Sequence, residues 1–166
     1  ISEGGAKLVY AAVAASAEVE NTTDETAFDK SKTLNGANLA AGDVIHVCAQ
    51  GVVNDNNSTD TLTVKLYLGT EEIVTTGAVN SVDGDIFYIE CDIVVRTAGA
   101  SGTIVAAGVV ANGVPGTVTA KPFLKASATE NISGSVAITC KATWSAAHAD
   151  NEVQLDVFNV QVIKAA

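Results

Sequence analysis

The chain reads as an all-β protein, an antiparallel jelly-roll sandwich of about eight strands behind an N-terminal arm. Three observations predict this class. The stretch Thr61 to Leu68 alternates strictly, with Leu62, Val64, Leu66 and Leu68 on one face and Thr61, Thr63, Lys65 and Tyr67 on the other. That period of two, rich in β-branched and aromatic residues, marks a half-buried strand. Turn signals recur at spacings of roughly 9 to 18 residues, the rhythm of a sandwich or barrel. No stretch sustains the 3.6-residue period of an amphipathic helix.

Residues 1–25 stand apart from the rest. They are rich in alanine, led by glycine and without steady period; Val9, Val13 and Val19 with Tyr10 suit a short strand or an extended arm equally, and the segment is assigned as an arm that packs on a neighbour. Leu8 to Ala17 is apolar but too short to span a bilayer, and is expected to stay in the mature protein. The chain opens at Ile1 and contains no methionine, so an initiator is expected to have been removed or left unnumbered. The jelly-roll domain then runs over 26–166.

Thr26 to Leu34 is the first strand, closed by the turn dipeptide Asn35-Gly36. Gly42-Asp43 opens the second, Val44 to Val53. The polar linker from Asn54 to Asp60 bonds its own backbone and joins this strand to Thr61–Leu68, which a short strand, Glu72 to Thr76, follows. Asp83-Gly84-Asp85 leads into the longest alternation, Ile86 to Thr97. There Phe87, Ile89, Cys91, Ile93 and Val95 share one face, and Glu90, Asp92 and Arg96 the other. Thr103 to Ala111 is apolar enough to expect cover on both faces. Thr117 to Ala126 follows, its Pro122 marking an edge or a bulge. Val136, Ile138, Cys140, Ala142 and Trp144 alternate next, and Glu152 to Lys164 closes the fold with Leu155, Val157, Val160 and Val162. Lettered B to I from Thr26, a jelly roll would set the strands of Cys48, Cys91 and Cys140 in one sheet.

One domain of 166 residues can bury a core without staples. Its surface is short of charge: 17% of residues are charged against about 25% in an ordinary soluble domain. With 48% hydrophobic residues and a mean hydropathy of +0.29, part of that surface is expected to be covered by another copy or a partner. The net charge of −10 repels phosphate backbones and anionic lipid, so neither nucleic acid nor membrane is expected as a partner. Three cysteines cannot all pair within one chain and fit no zinc spacing, so free buried thiols and assembly in a reducing cytoplasm are expected.

No residue set amounts to a catalytic, cofactor-binding or metal-binding signature, and no enzyme is expected. His46 lies mid-strand and reads as a strand-face or interface residue; His148 reads as a solvated loop residue. Asn54, Asp55, Asn56, Asn57 and Asp60 offer oxygen ligands for calcium but lack the glycine and glutamate of a helix-loop-helix site, so turn chemistry is expected. Asp83 and Asp85 form a carboxylate pair best read as a turn, because acid–base work needs a pocket. The triplets at Asn21, Asn57 and Asn131 match the glycosylation pattern, which an Asn/Ser/Thr-rich chain produces by chance. Trp144 reads as an anchor in the core or at its rim.

Two blocks, NSTDTLTVKLYLGTEEIVTTGAV at 57–79 and GDIFYIECDIVVRTAGASGTIVAAG at 84–108, resemble segments of capsid decoration, or cement, proteins of tailed bacteriophages. The resemblance runs over about residues 26–163 in strand rhythm and phrasing. It implies a jelly-roll subunit, usually trimeric, assembled in the host cytoplasm and seated on the virion's outer capsid, where it clamps adjacent major capsid proteins. Residues 1–25 would be the arm that reaches a neighbour. No functional residue carries over, because the family has no site fixed in sequence.

Two rival classes remain. A carbohydrate- or receptor-binding jelly roll of a fibre or spike would need exposed loop aromatics, for which Tyr67, Tyr88 and Trp144 are the candidates. A cupin-type enzyme would need clustered histidines and carboxylates inside a barrel, and the two histidines stand apart.

Overall fold

The computed structural model describes residues 5–57 and 59–166. Its strands are β1 (Ala6–Ala11), β2 (Val19–Glu20), β3 (Thr26–Asn35), β4 (Val44–Asp55), β5 (Thr61–Leu68) and β6 (Glu71–Thr75). They continue with β7 (Val79–Asn80), β8 (Ile86–Thr97), β9 (Gly102–Gly113), β10 (Lys121–Glu130), β11 (Ser135–Trp144) and β12 (Glu152–Ile163). No α-helix occurs among the described residues; a single 3₁₀ turn, Gly36–Asn38, is capped by the Asn35 side chain.

The strands form two antiparallel sheets. Sheet A runs β1-β12-β4-β8-β9-β10, with β2 beside β12, and sheet B runs β3-β11-β5-β6, with β7 beside β5. Four of the pairings nest around one another: β5 with β6, β4 with β8, β3 with β11 and β1 with β12. The contacts of β12 with β4 and of β11 with β5 close the two layers. The hairpin β9–β10 widens sheet A beyond β8.

Alternation in sequence becomes burial in space. Leu62, Val64, Leu66 and Leu68 are all fully buried, as are Phe87, Ile89, Ile93 and Val95. Trp144, Phe87 and Phe158 are the largest buried side chains, and Phe28 stacks on Phe87 with ring centroids 6.0 Å apart. Burial on this scale contributes roughly 1.5–3 kcal/mol for each large apolar side chain.

Several expectations need correction. The cysteine strands do not share a sheet: Cys48 on β4 and Cys91 on β8 lie in sheet A, and Cys140 on β11 lies in sheet B. Residues 6–11, within the segment read as an arm, are β1, paired along β12. Residues 1–4 of that segment and Ser58 of the linker lie outside the described residues. The strand expected from Thr117 starts at Lys121, since the turn at Val114 continues through Thr117, whose N–H and hydroxyl both reach the Val114 carbonyl. Pro122 does lie on an edge strand, as β10 pairs with β9 alone. The closing strand changes phase at a bulge between Leu155 and Val157, which turns Val157 outward and Phe158 inward. Finally, β9 is covered on one face only: Ile104 and Ala106 are buried, whereas Val105 and Val109 are half-buried and Ala107 exposed.

Candidate functional site

The outer faces of the two sheets differ in chemistry. On sheet B, Lys65 is held 3.3 Å from Glu25 and 3.0 Å from Glu72, and Lys141 lies 3.5 Å from Glu25. Tyr67 donates to Glu25 at 2.8 Å, and the Lys141 ammonium sits 4.3 Å over the Tyr67 ring. Burial pushes the Glu25 carboxyl up, but Tyr67, Lys65 and Lys141 outweigh it and hold it below the ordinary value. Threonines and paired charges of this sort make a solvated face.

Sheet A presents the opposite character. Its register sets residues in rows across the sheet. One row is Ala6, Ile163, Val44, Val94 and Val105; the next is Leu8, Gln161, His46, Asp92, Ala107 and Leu124; a third is Ala11, Asn159, Cys48, Glu90, Val109 and Pro122. The charged members are Glu90 and Asp92, both central, with His46 beside them. Leu8 and Leu124, at opposite ends of the middle row, are 56% and 69% exposed. Six strands about 4.8 Å apart and about ten residues long give a face on the order of 800 Å².

His46 Nδ1 lies 2.8 Å from Asp92 Oδ1, and its Nε2 lies 3.7 Å from Glu90 Oε1. Tyr88 donates to the other oxygen of Glu90, and that bond, with burial, raises the phenol above its ordinary value. A shallow hollow of about 280 Å³ opens beside His46, floored by Gly108. A side chain at Gly108 would stand 2.0 Å from the Glu90 carbonyl, so β8 and β9 pass too close there for any other residue. The imidazole sits beside both carboxylates on an open sheet, where they stay substantially exposed, which suits a contact surface better than proton transfer to a substrate.

The sequence candidates for chemistry fall elsewhere. The linker and the Asp83–Asp85 turn come together at one end of the sandwich: Asn56 N–H donates to Asp83 at 3.0 Å, and Asn56 Nδ2 donates to the Ser81 carbonyl at 2.6 Å. Asp85 Oδ2 accepts from Val82 N–H, and Asp60 accepts from Asn57 and Asn151. These carboxylates close turns, as expected. Asn56 Oδ1 and Asp85 Oδ1 have no partner among the described residues, and they flank opposite ends of the Ser81–Val82 peptide. His148, in its loop, is 3.6 Å from Asp150 and half-exposed. Trp144 is 1% exposed and Tyr67 9%, so of the three aromatic candidates Tyr88 alone offers an accessible ring.

Sequence reasoning missed two buried acids that staple distant segments. Asp43, 1% exposed, accepts from Ala40 N–H, Ala165 N–H and Lys164. Glu130, 7% exposed, accepts from Thr70, Glu71 and Asn131. It also missed a cleft of about 250 Å³ where β1 and β3 part, walled by Val9, Leu34, Leu39 and Val162 with Lys7 and Lys164 at its mouth. No family model matches this chain, and no curated protein sequence matches it.

Proposed function

We propose that this protein is a non-enzymatic structural subunit of a virion, a jelly-roll decoration protein that self-associates as a trimer on the outer capsid. It clamps neighbouring major capsid proteins and so stabilises the head. The observation that carries the reading is the uneven surface. One face holds paired charges in water, while the three central rows of the six-stranded sheet A face carry only Glu90 and Asp92, beside His46. A face on the order of 800 Å² matches one side of a standard protein interface. Covering it offsets the exposure of Leu8, Leu124, Val105 and Val109.

The jelly-roll reading is supported by strand order. Taking β1, β3, β4, β5, β6, β8, β11 and β12 as strands one to eight, the layers read one-eight-three-six and two-seven-four-five. That is the order obtained by rolling up a single long antiparallel hairpin, with β9–β10 added at one edge. Clamping by a trimer would work through multivalency, each weak capsid contact raising the effective concentration of the next. The acidic exterior keeps decorated particles apart.

Light scattering on the purified protein, followed by binding to undecorated capsids, tests the reading. A trimer that saturates capsids and raises their rupture temperature is expected. A monomer with no capsid affinity would sink it.

A further inference from the structure

The two open edges of the sandwich handle lysine differently. Where β10 and β6 part, Lys125 bridges the gap to Glu71 and to the Glu72 carbonyl, so its charge is matched. Where β1 and β3 part, Lys7 and Lys32 line one groove over Val9 and Leu34, and neither has an acidic partner among the described residues. On a chain of net charge −10, two ammonium groups unmatched among the described residues, set beside Leu8, Val9 and Leu34, mark a place for an acidic, partly apolar surface. The centre of the sheet A face is such a surface, with Glu90 between Cys48 and Val109, and Asp92 between His46 and Ala107.

Packing that face against its own copy about a two-fold axis would bring Glu90 and Asp92 against their equivalents, and like charges facing each other oppose association. Packing it on the β1/β3 groove removes the conflict and matches both charges. We infer that the sheet A face of one copy seats on the Lys7/Lys32 groove of the next, a head-to-tail contact. Such a contact closes into a ring when the rotation allows and uses every face and every groove once. The inference rests on the self-association proposed above and names the surfaces that meet.

Light scattering at about 0.15 M salt on four proteins tests it, with near-ultraviolet circular dichroism reporting that each is folded. They are the unaltered chain, Glu90→Lys with Asp92→Lys, Lys7→Glu with Lys32→Glu, and all four changes together. The unaltered chain forms a closed ring. Each double reversal weakens association by about 100-fold or more, and the quadruple change recovers it to within about tenfold. Association untouched by the lysine reversal overturns the head-to-tail contact, as does failure of a folded quadruple variant to recover. A two-fold dimer broken by the carboxylate reversal alone also overturns it, in favour of face-to-face packing. An unaltered chain that stays monomeric at every concentration rejects self-association itself, a different result from any of these.

Discussion

Trp144 and Val19 are joined by a 3.1 Å hydrogen bond from the indole Nε1 to the backbone carbonyl, across 125 residues of chain. It fastens the segment between β1 and β3 to the end of β11. Ser16 adds a second tie, its hydroxyl accepting from Leu155 N–H at 2.9 Å.

Replacing Trp144 by Phe keeps most of the apolar bulk and removes the indole's hydrogen bond to the Val19 carbonyl, which stays paired in the β2–β12 ladder. Loss of one such bond costs about 0.5–1.5 kcal/mol. Urea unfolding should register that loss, and hydrogen exchange should quicken between Ser16 and Asn21 before the core strands respond. Equal stability of Trp144→Phe and the parent would show that the bond contributes nothing.

How much of this was legible follows from the range of each interaction. The faces of β5, β8 and β11 could be read because strand alternation is local, and burial matches it at Leu66, Ile89 and Ile138 alike. Strand β1 was legible only as one of two options, a short strand or an arm. Its AKLVYA has a bulge between Leu8 and Tyr10, so its part-buried residues Val9 and Tyr10 are adjacent and show no period of two. The β1/β3 groove and the buried staples of Asp43 and Glu130 join residues far apart in the chain, and no local pattern announces them. The turn reading of the Asn54–Asp60 linker succeeded because Asn and Asp side chains act within a few residues.

Asn151 is the hub of the end where those turns meet. Fully buried, it donates to Asp60 Oδ2 and to the Ala146 carbonyl, each at 2.9 Å, and accepts from Asn57 N–H at 3.0 Å. Asn151→Ala strands all three partners and should cost roughly 2–4 kcal/mol in chemical denaturation. A cost below about 0.5 kcal/mol would mean that water replaces the side chain freely.

Asp43 gives the fold a defined response to acid. Burial pushes its carboxyl up, but Lys164 and the N–H groups of Ala165 and Ala40 outweigh that and hold it below the ordinary value. A group whose folded value is depressed stabilises the fold above its unfolded value, near 3.9, and loses that contribution as pH falls through the folded value. Asp43→Asn should therefore be less stable than the parent at pH 7, and the gap should shrink as pH falls below the unfolded value and through the depressed folded one. A gap between the two that stays constant from pH 7 to pH 2 would remove Asp43 from the acid response.

Gly108 tests the close approach of β8 and β9. A Cβ there would meet the Glu90 carbonyl at 2.0 Å and Cys91 Cα at 2.7 Å, both backbone atoms with no freedom to step aside. Gly108→Ala should destabilise the fold by about 2 kcal/mol or more, because the ladder itself must part. An unchanged midpoint of thermal unfolding would contradict this packing.

The thiols convert the proposed interface into a reaction rate. Burial pushes Cys91 and Cys140 up to about 12, so neither supplies thiolate near neutral pH. Cys48 is also raised, by burial and then by the charge of Glu90, but it is half-buried on the outer face of sheet A, in one row with Glu90 and Val109. An aromatic disulfide reagent at pH 8 should therefore modify one thiol in the dilute native protein and three after unfolding. If copies meet on this face, raising the protein concentration through the association midpoint should slow the Cys48 reaction by about tenfold or more, because the covered thiol reacts only from the dissociated fraction. A Cys48 rate unchanged across that midpoint would show that the copies meet elsewhere. The low charge of sheet A would then need some other cover, with the capsid surface the next to test.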